Sequence, residues 1–218
     1  MEHFWLIDTE VFIHPFTCLI VGPAQSGKTS LLKKLLSYNN ILIKPTPEKI
    51  IYCYSVWQPM FDEINNSIKN IEFHQGVYNI DQIDASLNTL IIFDDLMKEC
   101  ESDPSIFNLF TIDSHHKNIS VFLISHNLFS KGKYTRTISL NSSYIIVFKN
   151  PRDKSQLYVL ARQMFPNNIK YFMEAVDDTI NSRGHSYIFL DLKQTTLEKN
   201  RVQSGILPGE QRIIYTPK

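Results

Sequence analysis

The sequence predicts an α/β fold: a mostly parallel central β-sheet flanked by helices on both faces. Two observations predict it. Short, continuous apolar runs rich in β-branched residues recur along the chain, as in strands buried on both faces. Segments with a helical apolar period separate them, and strands that alternate with helices pair in parallel through right-handed crossovers.

The first run, Phe16 to Val21, leads through a glycine-bearing loop into a helix from Lys28 to about Tyr38. There Leu31, Leu32, Leu35 and Leu36 recur at helical spacing around Lys33 and Lys34. Lys49 to Ser55 is a second strand, punctuated by Pro45, Pro47 and Pro59. A short helix, about Phe61 to Ile68, precedes Ile71–His74, whose alternation suits an edge strand. Thr89 to Phe93 is a continuous apolar run that ends in Asp94-Asp95. A helix from about Pro104 to His115 leads into the buried strand Ile119–Ser125, which ends at His126-Asn127. Ser143–Phe148 is the next strand. Helices over Asp153–Met164 and Ile169–Asn181 precede a last strand, Ser186–Leu190. From Lys193 the periodicity fades, and Pro208, Gly209 and Pro217 appear. One domain over residues 1–192 is therefore expected, followed by an extended arm over 193–218.

A chain of 218 residues with 43% hydrophobic content can bury the core of one such domain. Its apolar stretches are too short to span a bilayer, and Met1-Glu2-His3-Phe4-Trp5 lacks the basic start of a signal peptide, so a soluble intracellular protein is expected. Cys18, Cys53 and Cys100 form no paired motif and read as reduced thiols. With 22 basic and 22 acidic residues the net charge is zero, so composition supplies no general attraction to nucleic acid. A ring with a few basic loops around a channel stays compatible with that balance. The densest basic segment, Lys131-Gly132-Lys133-Tyr134-Thr135-Arg136, reads either as a solvated loop or as a DNA contact through Lys131 and Lys133.

The loop itself carries chemistry. Gly22-Pro23-Ala24-Gln25-Ser26-Gly27-Lys28-Thr29 matches GxxxxGK[ST], a phosphate-binding loop, and predicts a nucleoside triphosphate site extending to Ser30. Gly22 and Gly27 let the backbone curl so that its N–H groups face phosphate oxygens. Lys28 supplies a cation at the β/γ-phosphates, and the Thr29 hydroxyl can ligate Mg²⁺. The helix that follows adds the positive end of its dipole. No guanine-specificity motif is present, so ATP is the expected nucleotide.

Asp94, at the carboxyl end of its strand, stands where a phosphate-loop enzyme holds Mg²⁺, and Asp95 where a second carboxylate orients the attacking water. The next strand ends in Ser125-His126-Asn127, polar groups placed to sense the γ-phosphate. Asn127 is the preferred sensor, while His126 reads equally as a sensor or a hydrogen-bonded core histidine. His115, His116 and His126 match no zinc motif.

Further blocks, in order, resemble one family. They are His14-Pro15-Phe16-Thr17, Tyr54-Ser55-Val56-Trp57-Gln58-Pro59, Leu90 to Met97, Ser114 to Val121 and His126-Asn127-Leu128-Phe129. Phe148 to Asp153, Ala161 to Pro166 and Gly205-Ile206-Leu207-Pro208-Gly209-Glu210 complete the set. Together they resemble the genome-packaging ATPases of double-stranded DNA viruses and Maverick/Polinton elements, adenovirus-like and poxvirus-like ones among them, within the FtsK/HerA group of ASCE phosphate-loop motors. The resemblance covers nearly the whole chain. It implies an ATP- and Mg²⁺-dependent translocase that pushes duplex DNA into a preformed capsid. The motor would be a homo-oligomeric ring, pentamer or hexamer, at a capsid or portal vertex, with the C-terminal arm packed on or between subunits. Many relatives have Gln at the position of His126, and many motors of the wider group have Glu at that of Asp95.

Ring motors complete each site with an arginine from the neighbouring subunit, whose guanidinium neutralises charge on the transferred phosphoryl group. Arg136 is the first candidate and Arg152 the second, each with a surface ion pair as its alternative. Two other functions fit a phosphate loop: a nucleoside or nucleotide kinase, and an assembly module that binds ATP without hydrolysing it.

Overall fold

Six parallel strands carry the centre of the sheet, five of them largely buried apolar runs and the sixth an alternating strand at the edge. The computed structural model describes residues 2–4, 10–96, 99–100, 103–129, 132–182 and 186–217. In chain order the strands are β1 (Glu2–Phe4), β2 (Phe12–Ile13), β3 (Thr17–Val21), β4 (Ile43–Lys44), β5 (Lys49–Tyr54), β6 (Ile71–Gln75) and β7 (Thr89–Asp94). They continue as β8 (Ile119–Ser125), β9 (Tyr144–Phe148), β10 (Tyr187–Asp191), β11 (Val202–Ser204) and β12 (Ile213–Thr216). The main sheet runs β1-β12-β11-β10-β9-β3-β8-β7-β5-β6, and β2 pairs with β4 in a small side sheet. Strands β9, β3, β8, β7, β5 and β6 are mutually parallel, with Leu19 of β3 opposite Leu123 of β8 and Ile145 of β9. From β9 outward the pairing turns antiparallel.

Alternation along these strands feeds two cores. Cys18, Ile20, Tyr52, Ile92, Phe122 and Ile146 face one side, against α1 (Lys28–Ser37), α2 (Asn39–Leu42) and α3 (Pro59–Ser67). Leu19, Val21, Cys53, Phe93, Leu123 and Val147 face the other. There they meet α4 (Pro104–Asn108), α5 (Thr135–Leu140), α6 (Ser155–Met164) and α7 (Ile169–Ser182). The helical spacing of α1 is realised directly: Leu31, Leu32, Leu35 and Leu36 are all buried, while Lys34 is exposed. Helices thus cover both faces, as the sequence predicts.

Three features differ from the sequence expectation. The helix expected over 104–115 widens into a π-turn at Leu109–Asp113 before a last helical turn at Ser114–His116. Within it the Thr111 hydroxyl donates to the Phe107 carbonyl at 3.1 Å, the kind of side-chain competition for backbone acceptors that loosens a helix. Strand β6 is indeed an edge, but α3 begins at Pro59, where a proline with no N–H to satisfy suits the first turn. Most consequentially, the segment from residue 193 carries strands where the sequence shows no periodicity: β11 and β12 extend the main sheet, and β1 pairs with β12 beyond them. No helix among the described residues is long and apolar enough to cross a membrane.

Candidate active site

Parallel pairing sends the carboxyl ends of β3, β5, β7, β8 and β9 to the same end of the sheet, the place where open α/β sheets bind ligands. The loop after β3 is anchored there by the Gly22 amide, which donates to the Ser125 carbonyl of β8 at 3.2 Å. Gly22 has no room for a side chain: a Cβ would lie 2.6 Å from Ser26 Oγ and 2.7 Å from Phe148 Cβ. Gln25 and Gly27 have positive φ, 61° and 104°, which turn the chain back into α1. The first turn of α1 contains no acidic residue, so its exposed N–H groups keep their attraction for anions. Pro23 and Ser26 are half-buried, and Ala24, Gln25 and Ser30 are exposed around the rim.

Lys28 is buried, and its Nζ donates to the Gly22 and Pro23 carbonyls at 2.6 and 2.8 Å. Burial lowers its pKa, against the pull of Asp94 and Asp95. Thr29 follows it, partly exposed, on the first turn of α1.

The adjacent acids sit in opposite environments. Asp94 is 4% exposed and accepts a 2.7 Å hydrogen bond from the Tyr52 hydroxyl. Burial raises its pKa and Asp95 adds to the rise, while Tyr52, Lys28 and His126 oppose it. Tyr52 carried no motif signal. It is two residues from the end of β5, paired with Ile92, and its length lets it reach diagonally to the acid ending β7. Asp95 is exposed in the left-handed region, φ 56°, a conformation short polar side chains tolerate and one that aims its carboxylate out of the strand. Ser55 donates to Asp95 Oδ2 at 3.3 Å, and His126 Nε2 lies 3.7 Å from Asp95 Oδ1.

Of the two sensor candidates, His126 is the one beside the acids; it also lines a cleft with Gly22, Phe148 and Asn150. It is exposed, not a core histidine. The Asn127 side chain turns the other way, its Oδ1 3.5 Å from Gln156 Nε2 of α6. Arg136 is exposed on α5. Arg152 is exposed in the turn after β9, between Asn150 and Asp153, which both line the cleft. Lys133 is exposed, its Nζ 4.8 Å from the centre of the Tyr134 ring. Lys131 lies outside the described residues, as does Met97 of the resemblance.

Thr29 and Asp94 would offer hydroxyl and carboxylate oxygens, hard donors that suit Mg²⁺. A loop of this form between a buried strand and a helix, at the carboxyl end of a mostly parallel sheet, is the arrangement of the phosphate-loop NTPases. Solved members of that class share the fold. B204, the DNA-packaging ATPase from Sulfolobus turreted icosahedral virus, matches with a TM-score of 0.54 at 14% identity, over 84% of this chain and 96% of that one. The genome packaging NTPase B204 from Sulfolobus turreted icosahedral virus 2, in complex with ATP-gammaS, matches at 0.53 and 12% identity, over 87% and 96%. At these identities the likeness is one of fold. No protein-family model matches the chain, and no curated protein matches it.

Proposed function

We propose that this chain is an ATP-driven double-stranded DNA translocase that packages a viral or virus-like genome into a capsid, working as a ring of identical subunits of the FtsK/HerA type. The observation that carries the reading is the meeting of the Gly22–Thr29 loop with an acid pair of split character, Asp94 buried and Asp95 exposed, at one end of the sheet. The shared fold of the packaging NTPases supports it. So does strand β8, which lies between β3 and β7 and brings His126 to Asp95.

In this reading residues Gly22 to Ser30 hold the triphosphate, with Lys28 exchanging its two carbonyl partners for phosphate oxygens. Thr29 and Asp94 would hold Mg²⁺, which when bound would supply charge neutralisation for the triphosphate. Tyr52 fixes the Asp94 carboxylate in position, and Asp95 orients the attacking water with His126 beside it. Asn127, its Oδ1 3.5 Å from Gln156 of α6, stays the second γ-phosphate sensor candidate on the same strand end. The neighbouring subunit supplies Arg136 or Arg152, both exposed as a group acting across an interface must be. Lys131 and Lys133 belong to the basic segment that would touch DNA phosphates. Residues 1–192 and the sheet-extending segment 193–218 then form one motor subunit at the virion assembly site.

The test is an ATPase assay with and without duplex DNA, run beside native mass determination. Expected are an oligomeric ring, turnover stimulated by DNA of any sequence and weakened steeply by salt, and loss of nucleotide binding or turnover in Lys28→Ala. Wild-type turnover in that variant overturns the site. Phosphoryl transfer to a nucleoside would make the chain a kinase, and ATP binding without turnover an assembly module.

A further inference from the structure

An open groove runs alongside α1, lined by Gly27, Ser30, Leu31, Lys34, Phe148, Tyr187, Leu207 and Glu210, and no motif pointed to it. It begins at Gly27 and Ser30, the residues that bracket Lys28 and Thr29. Its far wall comes from late in the chain. Because β10 runs antiparallel to β9, Tyr187 lies opposite Phe148 at the loop end of the sheet. Strands β11 and β12 are likewise antiparallel, so the turn between them returns to that end. Positive φ at Gly205 (68°) and Gly209 (84°) shapes this turn, and at Gly205 a Cβ would lie 2.1 Å from the Gln211 carbonyl oxygen.

The polar end of the groove is built. Glu210 Oε2 accepts from the Tyr187 hydroxyl at 2.6 Å and from the Leu207 amide at 3.3 Å. The same hydroxyl accepts from the Ile206 amide at 3.1 Å, which fixes its direction. Oε1 has no hydrogen-bond partner among the described residues. Leu31, Phe148, Tyr187 and Leu207 beside it are buried, largely apolar walls, and exposed Ser30 and Lys34 complete the lining.

We propose that this groove holds the nucleotide base and that Glu210 selects a 6-amino purine over a 6-oxo purine, an inference that rests on the Gly22–Thr29 loop holding a nucleoside triphosphate. A carboxylate only accepts hydrogen bonds. With Oε2 doubly engaged, Oε1 is the oxygen left to accept an N–H donor, and the 6-amino group of adenine supplies one. A 6-oxo purine places a carbonyl oxygen where adenine has its amino group, acceptor against acceptor, and its nearest donor, N1–H, lies one ring position away. The paired N–H donors of guanine would need both carboxylate oxygens, and Tyr187 and Leu207 hold one of them.

The test is competition binding to the full chain with Mg²⁺ and ATP, inosine triphosphate, GTP or inorganic tripolyphosphate. The parent should bind ATP about tenfold or more tightly than inosine triphosphate or GTP, the worth of one charge-assisted hydrogen bond. Glu210→Gln adds an N–H donor and should shrink or reverse that preference while leaving tripolyphosphate binding unchanged. Tyr187→Phe removes the shorter of the two hydrogen bonds on Oε2, leaving only the Leu207 amide there, and should raise GTP binding relative to ATP. Equal affinity of the parent for ATP and inosine triphosphate overturns the proposal without any variant, as does an unchanged preference in a folded Glu210→Gln. If tripolyphosphate and every nucleotide fail to bind, the phosphate-site reading falls and the base site with it. If tripolyphosphate binds and the bases are not distinguished, the base site alone falls.

Discussion

Gly22→Ala tests the loop through geometry alone. The new methyl would sit 2.6 Å from Ser26 Oγ and 2.7 Å from Phe148 Cβ, both inside the 3.0 Å that real Cβ contacts respect. Ser26 can rotate, but Phe148 Cβ is fixed to the backbone of β9, itself paired to β3 and β10. The loop must therefore move, by several tenths of an ångström. Overpacking of this kind costs about 1–3 kcal/mol, and at about 2–4 °C per kcal/mol in a domain of this size the melting temperature should fall by about 2–12 °C. A misplacement of about 1 Å costs about 10²-fold in rate, so a shift of several tenths of an ångström should lower turnover by up to about that factor. Gly76→Ala is the control: its φ of +84° carries backbone strain of about 1–2 kcal/mol, yet no atom lies within 4 Å of the added Cβ. It should lower the melting temperature and spare turnover in the folded protein. Thermal melts and ATPase rates on both variants decide the matter; a Gly22→Ala chain that melts and turns over like the parent would refute the packing argument.

Asp95→Asn should keep Mg·ATP binding and slow hydrolysis by about 10² to 10⁴, measured as single-turnover rate; an unaffected rate would move the water-orienting role to His126. Asp94→Asn should abolish Mg²⁺-dependent turnover yet raise the melting temperature at neutral pH, because it removes a buried charge whose pKa folding has raised. The sign follows from linkage: ionising Asp94 costs more folded than unfolded, so the penalty is full above its raised folded pKa and vanishes as pH falls below the unfolded value. The difference in melting temperature should shrink over that window, and a constant difference would exclude this cause. Arg136→Ala should lose turnover and keep ATP affinity, and mixing it with Lys28→Ala should restore activity where intact halves meet. Failure to do so in demonstrated hetero-rings passes the role to Arg152.

The central strands were legible because Thr89–Asp94 and Ile119–Ser125 are buried along their whole length, which writes the apolar runs Leu90–Phe93 and Val121–Ile124 into the sequence. Strand β11 is just as buried, but with Gln203 and Ser204, whose side chains find polar partners in flanking loops and on β12. Gln203 donates to the Asn200 carbonyl and accepts from Arg212, and Ser204 pairs with the Tyr215 hydroxyl. Polar burial of this kind leaves no hydrophobic period to read. The phosphate loop and the acid pair were legible because their chemistry demands residue types at fixed spacing. Tyr52 was not, since a tyrosine within an apolar strand looks like core until register places its hydroxyl against Asp94. Glu210 lies within a block noted only for its resemblance, and its place beside α1 depends on two antiparallel returns that no local pattern records.

The antiparallel extension also decides where this chain can be cut. Ending it at residue 192 would strip β11 from β10, leaving a central, apolar strand as an unpaired sheet edge beside the loop. Bare edges of that kind recruit strands from other molecules, so the shortened chain should aggregate instead of yielding a minimal domain. Residues 193–217 act as the selvedge of the sheet, and a soluble fragment must keep them.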